Sequence, residues 1–228
     1  MVLETDRFQP EAVLASTAPQ SHALPRRLLY ATSAGMGGTG LDSTSLEGAL
    51  ASDHAGILRR AIAFGIGTRE IPGRRLRSLN WHPVRLLSWL KSEEYYAAKK
   101  RYVDAVAALH VRIGNCDAFH GWSGDCFHSL VEARLKGVPT VIDIPTWHRN
   151  KGVVKPGETR SEREARLANR GWRDWRQNLL IDRTRMLAEY DLADVILVPS
   201  RKAAETFLAA GIPESKLHYV ARGVDPSR

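Results

Sequence analysis

The chain has 228 residues, 43% of them hydrophobic and 25% charged, with 33 Lys+Arg against 25 Asp+Glu. That composition belongs to a folded globular chain and excludes a wholly disordered or fibrous one; two cysteines exclude a disulfide scaffold. No apolar run approaches the roughly 18 residues of a membrane span, and residues 1–25 lack the basic start and apolar stretch of a signal peptide, so a cytoplasmic location is expected.

The net charge of +8 is unevenly spread. Residues 69–101 hold nine Lys/Arg and three Asp/Glu; residues 149–185 hold eleven and five. Two basic segments in a weakly acidic body suit an anionic partner, whether phosphorylated ligand, lipid headgroup or nucleic acid. No zinc-finger, RNP or KH pattern accompanies them, so no nucleic-acid partner is expected.

Residues 1–25 are polar and aperiodic and read as a loose tail. Arg27 to Thr32 reads as a short buried strand running into the glycine-rich Ser33–Gly40. A helix is expected next. Thr44 and Glu47 have capping-box spacing, Leu46, Ala49, Leu50, Ile57, Leu58 and Ala61 fall at helical intervals, and Gly65-Ile66-Gly67 closes it. Residues 68–80, broken by Pro72-Gly73, read as loop or short strand. Pro83 to Val111 reads as helix, with Leu86, Leu87, Leu90, Tyr95, Val103, Val106 and Leu109 as its apolar face. Asp117 to Trp122 is a strand, Cys126 to Lys136 a helix stopped by Gly137 and Pro139, and Val138 to Ile144 a strand. Residues 149–158 read as a loop. A long basic helix is then expected to about Tyr190, with Ala168, Trp172, Trp175 and Leu179 as its stripe. A strand (Asp194–Pro199), a helix (Lys202–Ala210) and a last strand (Leu217–Val220) complete the chain.

Strands alternating with helices call for a single α/β domain, Rossmann-like, with a mostly parallel sheet flanked by helices. Ligands in that class bind outside the carboxyl ends of the strands. Gly35–Gly40 fits G-x-G-x-x-G, which can bring backbone amides and a helix N-terminus to a phosphate. A dinucleotide site also needs an acidic residue ending the second strand; with that interval read as helix, Glu70 lies beyond it. An NAD(P)-dependent oxidoreductase, a bare structural turn and a non-catalytic glycan- or phosphate-binding module all stay open here. His120 and His148 each follow a strand, where imidazole can bond sugar hydroxyls or move a proton. Cys116, His120, Cys126 and His128 match no zinc spacing, and there is no Asp-x-Asp, so no metal is expected. No G-x-S-x-G elbow supports a serine hydrolase.

Met186-Leu-Ala-Glu-Tyr-Asp-Leu-Ala-Asp194-Val-Ile-Leu-Val-Pro-Ser200, then Phe207-Leu-Ala-Ala-Gly-Ile-Pro-Glu-Ser-Lys216 and Gly223-Val-Asp225, follow one another at suitable intervals. With Phe119-His120-Gly121-Trp122 and Thr140 to His148 upstream, this order resembles the acceptor-side, N-terminal half of a GT-B glycosyltransferase of retaining family 4. Arg222 stands where that family usually has Asn. The resemblance implies transfer of a sugar from a nucleotide-sugar donor to an acceptor hydroxyl, with no cofactor and no metal. It implies His120 and His148 as catalytic residues lining the cleft, and Gly37, Gly38, Thr39, Trp122, Arg149, Ser200 and Arg201 as donor- or acceptor-binding residues. It also implies a C-terminal GT-B domain, holding the nucleotide, reached by a linker beginning at residues 222–228, with residues 26–221 as the N-terminal domain. Cations beside aromatics within residues 69–101 (Arg74, Arg75, Arg77, Arg85, Trp81, Trp89) offer a peripheral contact to an anionic membrane.

Overall fold

A computed structural model describes residues 25–81, 83–89, 92–148, 159, 161–162, 165 and 183–221. The expected tail up to residue 24, Arg149, the 149–158 loop, the stripe of Ala168, Trp172, Trp175 and Leu179, and the linker with Gly223-Val-Asp225 lie outside these residues.

Seven strands form one sheet: β1 (Leu28–Ala31), β2 (Leu58–Ala63), β3 (Leu76–Ser78), β4 (Ala118–Trp122), β5 (Thr140–Asp143), β6 (Val195–Val198) and β7 (Leu217–Tyr219). Their order is β3-β2-β1-β4-β5-β6-β7, with every neighbouring pair parallel. Among the described residues five helices connect them: α1 (Leu41–His54), α2 (Ser92–Arg112), α3 (Phe127–Leu135), α4 (Arg183–Leu192) and α5 (Arg201–Leu208). This is the Rossmann-like α/β domain expected. Its strand order reverses between β1 and β4, which opens a crevice at their carboxyl ends.

The central strand β1, Leu28-Leu-Tyr-Ala31, is buried at all four positions, as a strand covered on both faces must be. On one face α1 contributes Leu46, Ala49 and Leu50 to a cluster with Tyr30, Ala61, Ala63 and Trp122. On the other, α2, α3, α4 and α5 supply Val103, Leu130, Tyr190 and Phe207 to the larger core with Phe119, Ile142 and Ile196. Gly48 lets α1 approach closely: a Cβ there would lie 3.0 Å from the Tyr30 hydroxyl.

Three expectations are corrected. The helix after the glycine turn ends at His54, with Gly56 just beyond at φ 71°, and residues 58–63 pair as β2 between β1 and β3. Pairing on both edges outweighs an apolar spacing that also suits a helix. Thr44 does not cap: the N-cap is Gly40, no side chain caps the helix, and the Thr44 hydroxyl donates back to the Gly40 carbonyl. The helix expected from Pro83 is a 3-10 turn over Pro83–Leu87, and α2 begins only at Ser92. Leu86 and Leu109 of its expected apolar face are 80% and 54% exposed.

Candidate functional site

A cleft of about 1330 Å³ opens at the carboxyl side of the sheet. Its lining runs from the glycine turn (Gly37–Gly40) along α1 and the loop after β2 (Gly67–Glu70) to His120, Asp143 and the β6 end at Pro199.

The turn after β1 is built to bring backbone close to whatever fills that cleft. Met36 and Ile66 form an isolated parallel bridge, with Met36 N–H donating to the Gly65 carbonyl and Gly67 N–H to the Met36 carbonyl. The turns after β1 and β2 are thereby joined backbone to backbone. Gly37 has φ 100°, and a Cβ on it would meet the Gly67 carbonyl carbon at 3.2 Å. Only glycine suits that position. The Gly35 amide donates to Asp42 Oδ1 at 2.8 Å, and the Ser45 hydroxyl donates to the Gly35 and Asp42 carbonyls, which fixes the turn against α1. No side chain at the Gly40 N-cap serves the first-turn amides of α1, and that turn carries Asp42.

His120 sits in register with Tyr30 on one side and Val141 on the other. The Tyr30 ring meets its imidazole edge-on at 5.0 Å, and the Tyr30 hydroxyl accepts a 2.7 Å hydrogen bond from Trp122 Nε1. Tyr30 therefore holds His120 and Trp122 along one face of β4. His120 Nε2 is buried and has no hydrogen-bond partner among the described residues. Burial pushes the imidazole down to about 4, so it is neutral at physiological pH and able to exchange hydrogen bonds with a hydroxyl. An unpartnered buried polar atom costs about 1–3 kcal/mol.

The turn after β4 is closed by the protein itself. Glu189 on α4 accepts from the Gly124 amide at 2.5 Å and the Cys126 amide at 3.2 Å. Asp104 on α2 accepts from the amides of His128 and Ser129 at 2.8 and 2.9 Å and from the Ser129 hydroxyl. Asp125 Oδ2 accepts from the Ser33 amide, and its Oδ1 lies 2.8 Å from Lys100 Nζ as an ion pair. Burial pushes the Glu189 carboxyl up to about 8, against the opposing pull of its two amide donors. Burial also pushes the Cys116 thiol up to about 11 and Cys126 well above its ordinary value, so neither is a ready nucleophile. Among the described residues no group of three His, Cys, Asp or Glu side chains is placed to hold a metal ion.

Of the residues singled out from sequence, Gly37, Gly38, Thr39 and His120 meet in the cleft. His148 is 4% exposed and packs between Tyr190 and Phe207, each 5.0 Å away, and its amide donates to the Thr206 hydroxyl. Trp122 is buried behind Tyr30. Ser200 caps α5 by accepting from the Ala203 amide, and Arg201 is exposed on the first turn of that helix. None of these four lines the cleft. The sequence reading missed the contribution of Thr68, Arg69 and Glu70 because β2 was expected as helix, and it missed Tyr30, whose strand position beside His120 emerges only from pairing. β2 ends at Ala63, so the carboxylate that a dinucleotide site needs at that strand end is not there.

The fold and crevice define an open parallel α/β protein with its ligand site at the reversal of strand order. The chain matches Glycosyltransferase Family 4 over residues 55–228 and belongs to that family. It thus carries a glycosyltransferase domain, whose substrates are a sugar donor and an acceptor. The match leaves β1, the glycine turn and α1 outside it. No curated protein matches the chain. No helix among the described residues is long and apolar enough to cross a membrane.

Proposed function

We propose that this chain is the acceptor-side, N-terminal half of a two-lobed GT-B enzyme that moves a sugar from a nucleotide-sugar to an acceptor hydroxyl with retention. The observation that carries the reading is the unpartnered Nε2 of His120, in a residue that lines the same cleft as the uncapped α1 and its glycine turn. A sugar hydroxyl satisfies the imidazole, and the amides of the turn favour the negative charge of a phosphate group. A second lobe closing over the cleft would hold the nucleotide and exclude water, the positioning that glycosyl transfer needs. No cofactor or metal enters this scheme; the donor is a co-substrate. Tyr30 and Trp122 act as positioning residues behind His120, and Gly37, Gly38 and Thr39 as the donor- or acceptor-facing backbone.

The test is transfer from a panel of nucleotide-sugars by the two-lobed enzyme, comparing wild type with His120→Ala. A loss of at least about tenfold in kcat/KM is expected, alongside the modest loss of thermal stability that follows from removing a ring packed edge-on against Tyr30. Undiminished turnover would remove His120 from the site. His148→Ala is the companion variant: a ring packed between Tyr190 and Phe207 is expected to lower stability, whether or not it also lowers turnover.

A further inference from the structure

Between β3 and α2 the chain places large apolar side chains where a core does not want them. Trp81 is 91% exposed, Leu86 80% and Trp89 73%. The 3-10 turn Pro83–Leu87 that carries Leu86 buries none of its residues, although it packs beside α2. Scattered single exposed hydrophobics are ordinary, whereas several within one short turn mark a surface meant to be covered.

The charges beside this turn identify what covers it. The Arg85 guanidinium lies 5.7 Å from the Trp81 ring centre, and Arg85 itself is exposed. Arg69, exposed on the loop after β2, adds positive charge at the same carboxyl side of the sheet. Arg69 and Arg85 have no carboxylate partner among the described residues, while towards the amino side of β3 Arg77 bonds the His110 ring and Arg75 pairs with Asp53. Glu70 is exposed nearby and Glu94 is buried, so cations outnumber acids on this surface. A protein partner that matched the indoles alone would gain nothing from these arginines. Tryptophan and leucine flanked by arginine is the pairing that enters the headgroup boundary of an anionic bilayer, the rings at the interface and the guanidinium groups on lipid phosphates.

We propose that Trp81, Leu86 and Trp89, with Arg85 and Arg69, seat this chain on an anionic lipid bilayer. The segment follows the carboxyl end of β3, so the membrane-facing surface lies on the side of the sheet where the cleft opens. Docking stands apart from the transferase reading: a chain with an inactive cleft would still bind vesicles.

Vesicle co-sedimentation tests it, using phosphatidylcholine alone and phosphatidylcholine mixed with phosphatidylglycerol. The wild-type chain is expected to pellet with the mixed vesicles and not with the neutral ones, and to release as salt is raised. Trp81→Ser combined with Trp89→Ser is expected to lower the partition coefficient at least about tenfold, and Arg85→Gln about fivefold, with circular dichroism unchanged because all three side chains are exposed. Equal binding to neutral and anionic vesicles, no binding by the folded wild-type chain, or wild-type binding by the double variant would each overturn the proposal. A dimer in sedimentation equilibrium that the double variant dissolves would overturn it as well, by showing a second copy on this face.

Discussion

Two strand-to-helix turns stand side by side at the carboxyl edge of the sheet, and they are finished in opposite ways. After β1 the chain reaches α1 through glycines with positive φ, and no side chain caps the helix. After β4 it reaches α3 through a turn whose amides are taken by Glu189 from α4 and by Asp104 from α2. A parallel sheet creates a positive helix end after each such strand, and that potential attracts an anion. At α3 the carboxylates of Glu189 and Asp104 take amides of the turn and of the helix's own first turn, whereas at α1 Asp125 and Asp42 take only the Ser33 and Gly35 amides that precede the glycine turn, so the site is placed at the Gly37–Gly40 end of α1. His120, the side chain on β4 that lines the cleft, keeps its Nε2 free.

The largest effect should come from unsealing α3. Asp104→Ala strands the His128 and Ser129 amides, removes the partner of His128 Nδ1, and should lower stability by about 3 kcal/mol in urea unfolding; a loss below about 1 kcal/mol would mean the seal is not structural. The second effect is visible in pH. Glu189 holds its proton in the fold up to about 8, well above an unfolded carboxyl. Its contribution is therefore complete below the unfolded value near 4.5 and is lost as pH rises towards 8. Glu189→Gln should flatten that decline in a series of denaturation curves, and an unchanged slope would place the decline elsewhere.

On the open side the effects on folding are smaller. Gly37→Ala forces a side chain into φ 100° against the Gly67 carbonyl carbon and should cost about 1–2 kcal/mol, with a larger proportional loss of turnover than of stability. His120 is the sharpest contrast to Asp104. Replacing it by Phe removes an unpartnered nitrogen and should change stability at neutral pH by less than about 1 kcal/mol. The same variant alters the acid limb. With the folded imidazole near 4 and the unfolded one near 6.5, wild type loses stability as pH falls between those values, and His120→Phe should lose less. Equal acid sensitivity in both proteins would show that His120 is not buried neutral.

Much of this arrangement was legible from residue order. Arg27 to Gly40 read as a strand entering a glycine turn because apolar run and glycine cluster are both local signals, and His120 stood out because it follows Phe119 at a strand position. β2 was not legible as strand. Ile57, Leu58, Ala61 and Ile62 fit a helical repeat as well as a buried strand, and pairing with β1 and β3 decides between them. Gly56 carried the needed stop signal, eclipsed by the glycines at 65 and 67. The seal on α3 could not be read at all: Asp104 and Glu189 lie 24 and 65 positions from His128 and Gly124, the amides they serve. Trp81 and Trp89 show the same limit from the other side, since nothing local tells an indole that enters a core from one that faces outward.

The central claim is that the uncapped α1 turn and His120 form one ligand site while the α3 turn is closed to ligands. Backbone amide and imidazole resonances followed by NMR during titration with a uridine diphosphate sugar at millimolar concentration test it most directly. Shifts at Gly37–Gly40, at Gly67–Arg69 and on the His120 ring, with Gly124 and Cys126 unmoved, are the predicted result. Movement at Gly124 and Cys126 with His120 and the glycine turn silent would contradict it.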